Sequence, residues 1–126
     1  MSMRSPLSRV RGLGSAHSGT EHFLTQRMTA IANVPLVLFF IYLLVTLAGR
    51  SHAVVAATLN SSTTAIFLLA AVVSVVVHMR IGMQVIIEDY IHHDGLKMSL
   101  MMANTFFSIA VGLCAAFAIL KLNFGL

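Results

Sequence analysis

The sequence predicts an all-α integral membrane protein with three transmembrane helices. Of its 126 residues, 58% are hydrophobic and only 10% are charged, and the mean hydropathy is +0.91. One helical crossing of a bilayer needs roughly 20 apolar residues, and apolar runs of that length occupy residues 28–48, 64–87 and 98–120. These runs leave no room for a soluble domain. We therefore expect a single three-helix domain over residues 20–126, preceded by a tail at residues 1–19.

The basic residues predict how the three helices are oriented. The formal net charge is +4, but the Lys and Arg residues lie near the predicted membrane edges and form no single patch, which argues against nucleic-acid binding. Cytoplasmic segments carry an excess of basic residues. One side of the membrane would hold five of them and the other side two: Arg4, Arg9, Arg11, Arg27 and Lys97 against Arg50 and Lys121. This bias predicts a cytoplasmic N-terminus and a C-terminus on the opposite side.

Three segments precede the second run: the tail, the first run and the first connection. Residues 1–19 are rich in Arg, Gly and Ser and predict an extended or partly ordered tail. Pro35 lies inside the first apolar run and predicts a kink, because proline removes a backbone donor within a helix. Residues 49–63 predict a short polar connection. No chemistry is indicated in this connection.

The third run predicts a close helix contact. Gly95 precedes this run and predicts the turn between the second and third helices. Within the run, small or polar residues recur every four positions at Asn104, Ser108, Gly112 and Ala116. Such a ridge lets two membrane helices approach closely.

The second run contains the most distinctive feature, a histidine within the apolar segment. A helix turns by about 100° per residue, so a stripe of mostly small residues shares one side of the helix with His78: Ala71, Ser74, Gly82, Val85 and Asp89. Ser74 and Gly82 flank the histidine by four residues on either side. We expect them to leave a hollow in which a haem plane approaches the backbone.

The sequence leaves two interpretations of this histidine. Ionisable residues inside a membrane are costly and usually functional, which favours a haem ligand, whereas a neutral histidine that hydrogen-bonds a neighbouring serine or carbonyl is the structural alternative. The other histidines all fall outside the apolar runs: His17, His22, His52, His92 and His93. A haem with two axial histidines would therefore need a second subunit.

Asp89 and Tyr90 end the second run and suggest a quinone site. A phenol hydrogen-bonds a quinone carbonyl and an adjacent acid tunes the proton transfer, although an interfacial tyrosine that anchors the helix is the common alternative. Arg27 and Arg80 could bind haem propionates or lipid phosphates. The alternative for each is a basic side chain that extends to the membrane surface and only reflects the orientation of the helix. The sequence indicates no catalytic residue.

The segment H-x-x-x-G-M-x-x-x-x-x-D-Y resembles the second transmembrane helix of a known family. It comprises His78, Gly82, Met83, Asp89 and Tyr90, and it is similar to the smaller hydrophobic membrane anchor subunit of succinate dehydrogenase. Residues 14–32, GSAHSGTEHFLTQRMTAIA, resemble the lead-in to the first helix of bacterial members. The two motifs and the three-span layout cover most of the chain.

This resemblance implies a fold and a function. The three helices would pack into a bundle with the larger, cytochrome b556-type anchor subunit, and His78 would be one axial ligand of a haem b shared between the two. Asp89 and Tyr90 would lie at the ubiquinone site. The chain would be a non-catalytic subunit that anchors the flavoprotein and iron–sulfur subunits for the respiratory chain and the tricarboxylic acid cycle. Where some members carry an aromatic residue two positions after the histidine, this chain has Arg80. The resemblance also implies a location in the bacterial inner membrane rather than in the mitochondrial one.

Two other functions are compatible with a small three-helix membrane protein. A small transporter or channel would ordinarily carry an acidic residue in mid-span or a repeat with broken helices. All the acidic residues here lie at the edges of the runs: Glu21, Glu88, Asp89 and Asp94. A cofactor-free assembly subunit would show no cofactor spectrum.

Overall fold

The computed structural model of the protein describes residues 6–12 and 18–125. Within them the backbone is almost entirely helical, with elements α1 (Pro6–Val10), α2 (Ser18–Leu47), α3 (His52–Leu59), α4 (Ser62–Tyr90) and α5 (Asp94–Phe124). Three of these helices, α2, α4 and α5, are long and apolar enough to cross a membrane. The predicted all-α fold with three transmembrane helices is confirmed.

The three long helices extend beyond the predicted apolar runs. The segments able to span a membrane are Thr20–Leu47, Ser62–Tyr90 and Asp94–Phe124, against the predicted 28–48, 64–87 and 98–120. Hydropathy counts only the residues that must lie in lipid, whereas backbone hydrogen bonding continues through the polar residues at each end. Glu21, Glu88 and Lys121 are consequently helical.

Two short helices lie in the predicted tail and in the predicted first connection. The tail, expected to be extended or partly ordered, contains α1, where Pro6 stands at the first helical position that suits proline. Residues 1–5 and 13–17 of the tail lie outside the described residues. The first connection contains α3, an eight-residue helix free of proline and glycine. Gly49 separates α3 from α2 in a left-handed conformation with φ of +74°, which glycine adopts without steric cost.

Pro35 and Gly95 were both predicted to perturb a helix, and both lie inside one. Helix α2 continues through Pro35, and the kink there stays a prediction. The turn before α5 comes at residues 91–93, and Gly95 is the second residue of α5, so the predicted turn at Gly95 was wrong. The His93 side chain begins α5 in its place, since its Nδ1 accepts a hydrogen bond from the Leu96 N–H at 3.4 Å.

Helix α4 lies between α2 and α5 and packs against both. At one end of the bundle, Gln84 Nε2 lies 3.5 Å from His22 Nδ1. At the other end, Asn123 Nδ2 donates to the Asn60 carbonyl at 2.8 Å. The helices therefore alternate in direction, and the start of α2 lies at the same end as the α4–α5 turn.

The predicted ridge on α5 forms the contact with α4. Asn104 Nδ2 donates to the Arg80 carbonyl at 2.9 Å, and Ser108 is only 1% exposed. A Cβ atom added at Gly112 would lie 3.5 Å from Val76 Cγ1, so the two backbones approach closely there. This prediction is confirmed.

Most of the large apolar side chains face outward. The buried hydrophobic residues among those described are few: Leu43, Ala65, Ile81 and Ile87. Exposed side chains such as Phe106 at 66% and Phe117 at 63% would destabilise the protein in water. Lipid chains or the helices of another subunit are needed to cover this surface.

Candidate functional site

Among the described residues, His78 is hydrogen-bonded at only one of its two ring nitrogens. The half-buried ring places Nδ1 at 3.1 Å from the Thr29 hydroxyl oxygen of α2. Nε2 has no hydrogen-bond partner in the part of the chain that the structure describes. It is also not fully buried. A nitrogen in this position is available to a ligand that comes from outside the chain.

Helix α2 packs against the stripe of small residues around His78. Ser74 Oγ donates to the Thr29 carbonyl at 3.3 Å, and a Cβ atom added at Gly82 would lie 3.4 Å from Gln26 Nε2. The expectation that Ser74 and Gly82 leave a hollow for a haem plane was therefore wrong. Small residues permit close approach of any neighbour, and in this chain the neighbour is the first helix.

The face of α2 toward α4 carries polar side chains that the sequence reasoning missed. Gln26, Thr29 and Asn33 follow each other at intervals of three and four residues, which places them on one side of a helix. Gln26 Oε1 and Asn33 Oδ1 are buried and, within the described residues, have no hydrogen-bond partner. Their spacing at the start of the first apolar run was the signal that could have found them, because polar side chains within a membrane helix bundle face a neighbouring helix.

Tyr90 lines a groove between α4 and α5, and Asp89 does not. Tyr90 is the last residue of α4 and is 75% exposed. The groove has a volume of ≈ 480 Å³ and is mainly apolar, with a lining formed by Met83, Ile86, Ile87, Tyr90, Ile91, Leu100, Ala103, Asn104 and Phe107. The Asp89 side chain is exposed outside it. The structure thus separates the two residues, although they adjoin in sequence.

His78 and Tyr90 belong to two distinct regions of one helix. Both lie in the uninterrupted α4, and at 1.5 Å per residue they are roughly 18 Å apart along its axis. The histidine contacts α2, whereas the groove at Tyr90 lies against α5. Any ligand at Tyr90 is therefore separate from a ligand at His78.

Arg27 and Arg80, the two arginines considered for anion binding, are exposed. The guanidinium carbon of Arg27 lies 5.2 Å from the centre of the Phe23 ring, a cation–π distance. The backbone carbonyl of Arg80 accepts a hydrogen bond from Asn104. Both guanidinium groups remain accessible to an anionic group.

The comparison with known families agrees with this architecture. Residues 1–119 match the family described as the succinate dehydrogenase/fumarate reductase transmembrane subunit. This chain belongs to that family. The resemblance drawn from the His78-to-Tyr90 segment is confirmed at the level of the family, and the chain is a multi-pass membrane protein. The roles of the individual side chains stay predictions.

Curated relatives of this family cover most of the chain. The succinate dehydrogenase hydrophobic membrane anchor subunit of Rickettsia bellii is 39% identical over 108 residues, which is 84% of this chain and 85% of the relative. The subunit of the same name from Rickettsia conorii is 30% identical over 107 residues, with 84% and 85% covered. That of Paracoccus denitrificans is 26% identical over 121 residues, with 96% and 93% covered.

Proposed function

We propose that this chain is a membrane anchor subunit of succinate dehydrogenase. In this role it holds the flavoprotein and iron–sulfur subunits at the membrane, together with the larger, cytochrome b556-type anchor subunit, and is itself non-catalytic. Family membership, the names of the relatives and the three apolar helices support the proposal. The outward-facing apolar side chains suit contact with the helices of that larger subunit and with lipid.

The observation that carries the proposal is the geometry of His78. An imidazole in mid-span with one nitrogen 3.1 Å from the Thr29 hydroxyl and the other without a partner among the described residues is the form in which a histidine binds a metal. His78 would bind the iron of a haem b, together with a histidine of the larger anchor subunit. When bound, the haem iron accepts and releases a single electron. Arg27 and Arg80 would pair with its propionates or with lipid phosphates.

Ubiquinone, the substrate, is assigned to the groove at Tyr90. The apolar lining with one phenol and one amide suits a quinone ring, because a few polar groups orient a ligand in an otherwise apolar pocket. The Tyr90 hydroxyl would donate to a quinone carbonyl. Asp89 lies next to it but outside the groove, where it would help to supply protons to the quinone as it is reduced.

Purification of the complex through a tag on this chain tests the proposal. We expect the flavoprotein, the iron–sulfur subunit and the larger anchor subunit to co-purify, together with a b-type haem in the reduced-minus-oxidised spectrum and succinate-dependent reduction of ubiquinone. A complex with its partner subunits but without haem would favour a cofactor-free assembly subunit. A chain that purifies without these subunits would favour the transporter or channel.

The proposed location is the bacterial inner membrane, with the N-terminus in the cytoplasm. The basic residues that support this orientation number five against two. Reporters fused after successive spans measure it. We expect alkaline phosphatase, active only outside the cytoplasm, to be active when fused after Ser61 or Leu126, and a green fluorescent reporter to be fluorescent after Lys97. Reporters after Lys97 and Leu126 that fall on the same side would contradict three alternating spans.

A further inference from the structure

We infer that Thr29 is a positioning residue for His78: its hydroxyl oxygen accepts a hydrogen bond from Nδ1–H, which fixes the ring and leaves the lone pair on Nε2 for a metal. The inference rests on the proposed function, since it deepens the role of His78 as a haem ligand. It also explains why a hydroxyl of α2 faces an imidazole of α4.

The direction of the hydrogen bond follows from counting protons. The Thr29 hydroxyl has one proton, and its oxygen lies 2.8 Å from the Thr25 carbonyl, 3.1 Å from the Gln26 carbonyl and 3.1 Å from His78 Nδ1. Two oxygens only 2.8 Å apart are at the usual distance of an O–H···O hydrogen bond and would repel without a proton between them. The proton therefore lies toward the Thr25 carbonyl. Nδ1 must then be the donor to Thr29.

Other hydroxyls of this chain use their protons in the same way. Thr46 donates to the Tyr42 carbonyl at 2.8 Å, Thr58 to the Val54 carbonyl at 2.9 Å and Thr105 to the Met101 carbonyl at 3.0 Å. A bond to the carbonyl four residues earlier is the ordinary state of a helical threonine. Thr29 keeps that bond and has an oxygen lone pair left for the imidazole.

A second contact fixes Thr29 relative to α4. Ser74 precedes His78 by one turn, is 8% exposed and donates to the Thr29 carbonyl. Thr29 thus receives one hydrogen bond at its carbonyl and one at its hydroxyl from the same helix. These two contacts determine the rotation of the imidazole, and an acceptor on Nδ1–H makes Nε2 a more basic ligand.

The variant Thr29→Val tests the inference, because valine keeps the shape of threonine and removes the hydroxyl. In the purified complex we expect the midpoint potential of the haem to rise, since a less basic imidazole stabilises ferric iron less. Loss of an outer-shell partner typically changes metal affinity by about 10–100-fold. A tenfold change in the ratio of ferric to ferrous affinity corresponds to about 59 mV for a one-electron couple. Potentiometric titration followed by the haem spectrum measures this shift.

Two further variants make the result specific. Thr29→Ser retains the hydroxyl and is expected to restore the wild-type potential. Thr46→Val removes a hydroxyl with the same backbone hydrogen bond but, in the part of the chain that the structure describes, no hydrogen bond to another helix, and it should leave the potential unchanged. Where the valine variant does not assemble, Thr29→Ala removes the hydroxyl with a smaller side chain and takes the same measurement.

The possible outcomes separate the inference from the proposed function. A wild-type potential in a haem-containing Thr29→Val or Thr29→Ala complex would overturn the inference and leave the haem assignment intact. An equal shift in Thr46→Val would overturn it as well, because the effect would not depend on the contact with His78. A wild-type complex that contains no haem would overturn the proposed function, and the inference with it.

Discussion

His78→Ala is expected to change the ligation or the occupancy of the proposed haem b. Removal of an outer-shell partner alone costs about 10–100-fold in metal affinity, so removal of the ligand itself should lower haem retention by at least that factor or leave the iron with a different axial ligand. The spectrum of the purified complex and its haem-to-protein ratio measure both effects. The variant also releases Thr29 from its contact with the ring.

His52→Ala is the matched control for this variant. His52 is exposed and is the first residue of α3, which lies at the end of the bundle opposite the α4–α5 turn. Its removal should therefore leave the haem spectrum and content unaltered. An unaltered spectrum and unaltered haem binding in His78→Ala would mean that the histidine only hydrogen-bonds α2. In that case the haem ligand would have to be sought outside this chain.

The long helices could be predicted from the sequence because the bilayer dictates them. A chain that crosses hydrocarbon must satisfy its backbone internally over roughly 20 apolar residues, and such runs are visible without any knowledge of packing. The short helices α1 and α3 carry no such requirement. Their few residues give too little periodicity to separate a helix from a connection.

The site was predictable only in part, and the reason is helix rotation. His78 stands out because it is an ionisable residue inside an apolar run. Its partner Thr29 could not be identified, since the contact depends on how α2 is rotated against α4. The spacing of Ser74 and Gly82 indicated a close approach without stating which group approaches, and the approaching group is Gln26 of α2. The position of Tyr90 in a groove with α5 likewise depends on the packing of two helices.

Tyr90→Phe is expected to lower quinone reductase activity several-fold or more while the complex still assembles. Phenylalanine keeps the ring in the groove and removes only the hydroxyl that would donate to the quinone carbonyl. One such hydrogen bond contributes about 1 kcal/mol to binding, or about fivefold, and the contribution grows as charge develops on the oxygen during reduction. Steady-state kinetics with varied ubiquinone measure the change. Succinate oxidation by an artificial acceptor that takes electrons upstream of the quinone site should continue at the wild-type rate.

Tyr42→Phe provides the comparison, because these two tyrosines are the only ones in the sequence. Tyr42 is also largely exposed, at 62%, but it lies in α2 and does not line the groove. Its replacement should leave quinone kinetics unchanged. If an assembled Tyr90→Phe complex reduces ubiquinone as fast as the wild type, Tyr90 is an interfacial anchor. The groove would then have to bind quinone through Asn104, whose amide already donates to the Arg80 carbonyl, or the quinone site would lie elsewhere in the complex.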